Sequence, residues 1–248
     1  MENAQTFGQQ AKAYFAARPA YPDDLFEWIS SKAPHHQRAW DVGTGSGQAA
    51  ARLVEHFDHV HATDIDPEQI RQAPVHPQIT FRAAAAHMSG LPSQSVGAIT
   101  VATALHWFDH AAFWGEVRRV ACPGAIFCGW TYHRPETDAD VRHVLLDPVA
   151  EVLAPYWSDG NRLSWRGYAA EELRMPFEVI AAPEFACRLR WTPAQIVGFV
   201  RSWSAFQKSK TDGHAERLAS IERHAVTDLG DAARRFDLQL HMIAARVA

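Results

Sequence analysis

The chain has 248 residues, 47% of them hydrophobic, 21% charged and 11% aromatic, which suits one globular domain with a large core. Lys and Arg number 24 against 28 Asp and Glu, a net charge of −4 that removes the electrostatic argument for a nucleic-acid binder and weakens one for an acidic membrane surface. The 14 His and nine Trp favour half-buried positions, so their surplus hints at a site without naming it.

The N-terminal stretch through Pro22 shows neither a charged-then-apolar leader nor a bilayer-length apolar run, so a cytoplasmic protein with no membrane partner is expected. A helical pattern runs from about Pro22 to Ser31 on Leu25, Phe26, Trp28 and Ile29, and Pro34 to Gln37 break it. The strand Ala39–Val42 leads into Gly43-Thr44-Gly45-Ser46-Gly47, and Ala49, Ala50, Leu53, Val54 and Phe57 then fall on one helical face. A second strand is read at His59–Asp64. The next helix starts at Asp66-Pro67, with Asp66 as N-cap, Pro67 at the first helical position and Gln69 closing a capping box. Strands at Ile79–Arg82 and Ala98–Ala102 follow, then a helix from Asp109 to Cys122-Pro123-Gly124, then a fifth strand at Ala125–Trp130. Beyond Trp130 the alternation is lost. Residues 134–206 are read as a cap with closing elements, and Leu240–Val247 as a last strand or an Ala-rich helix.

Short apolar strands alternating with helices call for a mostly parallel, doubly wound sheet, with the ligand beyond the carboxyl ends of its strands. Gly43, Gly45 and Gly47, between a strand and a helix, let the backbone pass close to that ligand. A triphosphate loop needs GxxxxGK[ST], and Gln48-Ala49 excludes it; a dinucleotide loop needs GxGxxG, and Gln48 stands at the third glycine. S-adenosylmethionine needs only a close-packed loop for its amino-acid end, with Asp41 able to answer the ammonium. A glycine turn in a structural domain is the remaining alternative. Asp64 ends the second strand 17 residues past Gly47, where an acid can accept both ribose hydroxyls, while Asp66 is explained by its cap.

These residues together resemble the class I S-adenosylmethionine-dependent methyltransferases, and most the small-molecule branch that includes trans-aconitate methyltransferase-like proteins. The resemblance is carried by Ala39–Gln48, by His61-Ala62-Thr63-Asp64 and by Ala104-Leu105-His106-Trp107-Phe108. Glu116–Val120 with Pro123-Gly124, Arg18–Pro22, Pro155-Tyr156-Trp157 and Arg201–Ser204 extend it over nearly the whole chain. It implies a Rossmann-like fold of about seven strands, the last antiparallel. Residues 1–35 would be N-terminal lid helices, 36–133 the cofactor core, and 207–248 a C-terminal helix and strand of the same single domain. It further implies S-adenosylmethionine as cofactor, with Gly43, Thr44, Gly45 and Gly47 at the methionine end and Asp64 and Ile65 at the ribose. Ala86 and His87 would lie in the adenine stretch, though the acid common there is missing. Ala104 would lie at the loop, and Tyr14 and Arg18 in the lid.

Methyl transfer requires nucleophile, methyl and sulfur in line with water excluded, and a base only if the nucleophile arrives protonated. His106 and His133 sit at the expected reactive edge as candidate catalytic residues. Tyr21, Trp107, Trp130, Trp157 and Trp203 are candidate substrate contacts, some of them in an aromatic box with Trp165. Arg162 and Arg166 would instead hold a carboxylate. His56, His59 and His61 lack the further ligands of a zinc site, so no metal is expected. Cys122, Cys128 and Cys187 form no CxxC and read as buried thiols. The expectation is a small-molecule N- or O-methyltransferase, monomeric or weakly dimeric. A carboxyl methyltransferase of a polycarboxylic acid, an NAD-type oxidoreductase and a silent S-adenosylmethionine-binding module are the alternatives.

Overall fold

A computed structural model describes residues 18–247. Two compact units are distinguished among them: one of residues 21–133, 163–185 and 240–247, the other of residues 18–20, 134–162 and 186–239. The first carries α1 (Asp23–Lys32), β1 (Ala39–Val42), α2 (Ala50–Leu53), β2 (Val60–Asp64), α3 (Pro67–Gln72) and β3 (Ile79–Ala83). It continues through β4 (Val96–Ala102), a 3-10 turn (Leu105–Trp107), α4 (His110–Val120) and β5 (Ala121–Tyr132).

β1 pairs in parallel with β2 on one side and β4 on the other, β2 with β3, and β4 with β5. The chain thus winds outward to β3, then returns to place β4 beside β1. That reversal makes the β1–β4 border the switch point where such sheets take ligands. The C-terminal run is the strand β9 (Arg234–Arg246), not a helix, and its second half lies antiparallel to β5 from Ile126↔Arg246 to Tyr132↔Leu240. β7 (Glu178–Ile180) continues this antiparallel end against Arg246 to Ala244.

Nine strands are assigned where about seven are expected, because the short β6 (Glu136–Thr137) and β7 and the seven-residue β8 (Phe185–Trp191) all pair with β9. β5 is also longer than its sequence signal. It begins before Pro123-Gly124, where the register against β4 shifts between Val96 and Ala98, and the exposed Pro123 costs no inward hydrogen bond. The helix read over residues 49–57 is regular only in α2. His56 N–H bonds Leu53 O, and Glu55 N–H bonds Arg52 O, so the last turn tightens to i→i−3 spacing. Asp66 caps α3 by accepting from Glu68 N–H, not through a reciprocal box with Gln69. Asp109 caps α4 by accepting from Ala112 N–H.

One sheet face is covered by α4, whose Phe113, Trp114, Val117 and Val120 pack with Trp40, Val101, Leu105, Phe127 and Leu173. Trp114 Nε1 donates to Leu173 O at 2.8 Å, so the indole is buried without an orphan donor. On the other face α1 buries Leu25, Phe26 and Ile29, with Phe26 edge-on to Trp130 at 6.2 Å. Each such apolar side chain withdrawn from water contributes roughly 1.5–3 kcal/mol.

The second unit contains α5 (Ala139–Val141), α6 (Asp147–Leu153), α8 (Pro193–Arg201), α9 (Ser204–Ser209) and α10 (Ala215–Leu229). α7 (Asp159–Arg166) and β8 each divide their residues between the two units. Its aromatic core stacks Trp191 on Phe236 at 5.4 Å, with Phe199 edge-on to Phe236 at 5.6 Å. Thr192, Pro193 and Gln195 form a full capping box on α8. The buried Glu222 accepts both Nε and Nη2 of Arg201, at 2.8 and 2.6 Å. Among the described residues no helix is long and apolar enough to cross a membrane.

Candidate active site

The loop after β1 turns on three left-handed glycines, with φ of +65° at Gly43, +57° at Gly45 and +89° at Gly47. A Cβ at Gly43 would stand 2.6 Å from Ala104 Cβ, and one at Gly47 2.7 Å from the Phe81 ring. At Gly45 it would meet only Gln69 Oε1 at 3.8 Å, in the open space before the loop. Gly43 and Gly47 therefore serve close packing, while Gly45 keeps the loop's outer face clear for a ligand.

Asp41 stands beneath the loop with no exposed surface. Thr44 Oγ1 donates to its Oδ2 at 2.6 Å and Thr100 Oγ1 to its Oδ1 at 2.7 Å. Burial pushes its carboxyl up to about 6, helped by the nearby Asp64 charge and opposed by the two hydroxyls. The sequence assigns this acid to the ammonium of a ligand. The structure gives it a second task, tying β1, the loop and β4 together.

Asp64, at the end of β2, accepts the N–H of Gly45 at 2.8 Å and that of Asp66 at 2.9 Å. A carboxylate has about four lone-pair sites, so two backbone bonds leave capacity for a pair of hydroxyls. Ile65 beside it is 77% exposed and Met88, after β3, 64% exposed, both apolar surfaces at the strand ends. Met88 was not read from the sequence; His87 is exposed and Ala86 half-buried at the core's margin. This turn is pinned from below. Glu116 Oε1 accepts Ser89 N–H at 2.9 Å and Ser89 Oγ at 2.5 Å, and His61 Nε2 bonds Ser89 O at 2.9 Å. Burial lowers the His61 pKa and keeps the ring neutral, so it serves as a strut. Among the described residues no group of three or more His, Cys, Asp or Glu is placed to hold a metal.

At the end of β4, Thr103 is a β-branched residue held at φ +54°, its N–H bonded to Trp130 O at 2.8 Å. The 3-10 turn follows and carries His106, whose Nδ1 lies 2.8 Å from Tyr168 Oη. Burial, with the neighbouring His110 imidazole, lowers its pKa to about 4, so the ring is neutral at physiological pH. Trp107 is 56% exposed with its ring 4.7 Å from that of His106, an aromatic surface and not the core packing its apolar neighbours suggest.

The remaining candidates fall elsewhere. Trp130 is wholly buried and Tyr21 nearly so, the two rings 5.4 Å apart. Neither presents an exposed face in the first unit. His133 is exposed, 4.7 Å from His241. Trp157 and Trp203 belong to the second unit, where their rings stand 5.7 Å apart, and half-buried Arg18 is also assigned there. Arg166 pairs with Glu172 at 2.9 Å, and Arg162 is exposed. Tyr14 lies outside the described residues. The three cysteines are free and buried, with burial pushing the Cys187 thiol up to about 12.

The donor set fits S-adenosylmethionine: a clear glycine loop, a strand-end carboxylate with spare lone pairs, and exposed apolar side chains on either side of β2's end. Comparison with known proteins agrees. A family model described as a methyltransferase domain matches residues 40–129. A solved structure described as a type II methyltransferase, from Anaeromyxobacter dehalogenans, is 37% identical with a TM-score of 0.82, covering 93% of this chain and 98% of that one. A protein of Dictyostelium discoideum described as a methyltransferase is 28% identical over 223 residues, 87% of this chain and 83% of that one. An uncharacterized methyltransferase of Mycobacterium tuberculosis is 37% identical over 121 residues, so the chain matches about half the length of that relative, 49%. On its fold, its loop chemistry and a near-full-length relative, the chain belongs to the class I S-adenosylmethionine-dependent methyltransferases.

Proposed function

We propose that the protein methylates a nitrogen or oxygen of a small, planar molecule at the carboxyl edge of β4, beside His106 and Trp107. One observation carries the reading: a neutral imidazole and a largely exposed indole stand side by side there, just past the loop and Asp64. An exposed aromatic face suits a flat heterocycle or phenol, of the kind made in natural-product pathways. Recognition of a polycarboxylate, as the trans-aconitate resemblance suggests, has less support, since Arg166 is engaged by Glu172.

In this reading Gly45 leaves room for the methionine end, Asp64 accepts the ribose hydroxyls, and Ile65, His87 and Met88 flank the adenine. S-adenosylmethionine supplies a methyl on a sulfonium, open to in-line displacement. His106 and Trp107 orient the acceptor, and the buried layer of Trp130 and Tyr21 keeps water from that edge from behind. Tyr14, Arg18, Trp157 and Trp203 are assigned to the lid and cap on the same resemblance.

Titration with S-adenosylhomocysteine tests the cofactor site, and release of labelled methyl across heterocycles, phenols and polycarboxylic acids tests the substrate class. Tight binding with transfer to a heterocycle or phenol is expected. Failure of S-adenosylhomocysteine to bind refutes the reading. Binding without transfer to any acceptor turns it into the silent module.

A further inference from the structure

The chain leaves β3 through residues 84–91 and is anchored twice on the way. Ala84 N–H donates to Asp64 O at 2.8 Å, which ties the start of the segment to the end of β2. Ser89 has no exposed surface and is held by every polar group it carries. Its N–H and its hydroxyl both donate to Glu116 Oε1, at 2.9 and 2.5 Å. Its hydroxyl oxygen accepts Leu91 N–H at 3.1 Å, and its carbonyl accepts from His61 Nε2 at 2.9 Å. Chemistry fixes each direction, since a carboxylate and a carbonyl only accept and a backbone N–H only donates.

Between the two anchors lies a tight turn, closed by Met88 N–H on Ala85 O at 2.9 Å, with His87 and Met88 exposed at its tip. Residues 84–88 read Ala-Ala-Ala-His-Met, so the turn has no carboxylate with which to grip the amino group of a purine. Glu116 has no capacity to lend it. The two donors of Ser89, with Nε and Nη2 of Arg119 at 2.8 and 2.7 Å, match the roughly four lone-pair sites of its carboxylate. What the turn offers a flat ligand is therefore the position of two side chains and a short stretch of backbone. Position is what the second anchor controls.

We propose that Glu116 is a positioning residue for the cofactor: held by Arg119 on α4, it fixes Ser89 and so sets where His87 and Met88 stand against the adenine. The inference rests on the reading of this turn as the adenine end of the site. The carboxylate does not touch the ligand. Glu116 is 8% exposed and Ser89 is fully buried, so bulk water does not replace the bonds between them when they are lost. The far end of the turn is then held by His61 and Leu91 alone, and the turn samples other positions. Apparent affinity falls by the factor by which the binding-competent fraction falls.

Calorimetric titration of S-adenosylhomocysteine into the native full-length protein, Glu116→Gln and Ser89→Ala measures the effect. Amide hydrogen exchange over residues 84–91 of the same ligand-free proteins reads the anchor itself. Both variants are expected to speed exchange in that segment and to raise Kd about tenfold, as when about one turn in ten stays competent. Ser89→Ala deletes a single hydroxyl and serves if Glu116→Gln does not fold. A loss that runs through the turn has a signature that general destabilisation lacks. In a protein carrying His87→Ala and Met88→Ala the tip has little left to position, so adding Ser89→Ala should cost about twofold or less. Unchanged Kd or unchanged exchange in the folded variants, or an equal factor in both backgrounds, overturns the proposal and leaves the methyl-transfer reading intact. Failure of S-adenosylhomocysteine to bind the native protein refutes that reading and the proposal with it.

Discussion

Replacing Asp41 with Asn exchanges a buried carboxyl for a neutral side chain of the same shape, with an oxygen and an amide to meet the Thr44 and Thr100 hydroxyls. Burial is the largest cause of the raised carboxyl, with the Asp64 charge adding to it, so the folded protein holds the Asp41 proton more tightly than the unfolded chain does. The rise from 3.8 to about 6, at ~1.4 kcal/mol per pH unit, amounts to about 3 kcal/mol. Stability from this group is fully present below pH 3.8 and is lost as the pH rises through about 6. The Asn variant has no such loss. Its stability minus that of the native protein should grow by about 3 kcal/mol from pH 4 to 7 and level off above that, whatever its value at low pH. Urea unfolding of both proteins across this range measures the difference, and subtraction cancels the other titrating groups. A difference that stays flat, or shrinks as pH rises, refutes the claim that Asp41 is held desolvated beneath the loop.

The loop, Asp64 and the pinned turn give further tests. Gly43→Ala places a Cβ 2.6 Å from Ala104 Cβ at φ +65°, and strain plus overlap should cost roughly 2–4 kcal/mol in urea unfolding. Gly45→Ala carries only the left-handed strain of about 1–2 kcal/mol but fills the open space, so calorimetry should show a larger loss of S-adenosylhomocysteine affinity than of stability. Asp64→Ala removes a charge-assisted acceptor worth roughly 1.5–3 kcal/mol per bond, so affinity should fall about tenfold to a hundredfold or more; an unchanged Kd would remove Asp64 from the ribose. Glu116 is driven up by burial, but Arg119 and the Ser89 hydroxyl and N–H outweigh this and hold its carboxyl below 4.5. Its contribution is present above that value and lost as the pH falls through its lowered pKa, so Glu116→Gln should destabilise at pH 7 by about 1–3 kcal/mol and less in acid.

What the sequence could and could not show divides along a physical line. β1, α1, the cap at Asp66 and the helix start at Asp109 were legible because their causes are local: apolar runs, breakers, and, at Asp66, a side chain two residues from the N–H it accepts. The capping box Thr192-Pro193-Ala194-Gln195 was equally legible and was not read. The glycine loop and Asp64 stood out because their spacing is itself the signal. Thr100 on Asp41 and Tyr168 on His106 lie 59 and 62 residues from their partners, and no local pattern announces such pairs. Trp130 shows the same limit: it is wholly buried with Tyr21 and Phe26 edge-on to it, contacts over a hundred residues apart in sequence that no local pattern announces. The short strands at the antiparallel end escaped notice because pieces of two or three residues have no period to detect.

Thr103 carries a consequence for anyone wishing to harden this protein. A left-handed backbone suits a β-branched side chain least of all, and such strain costs about 1–3 kcal/mol. A stability-minded redesign would therefore place glycine at 103, and heat tolerance should improve. The same exchange would loosen the peptide that leads into the turn of His106, so a gain in stability there should come with a looser turn at the proposed transfer edge. Stability and the geometry of the following turn are thus set against each other at a single backbone angle.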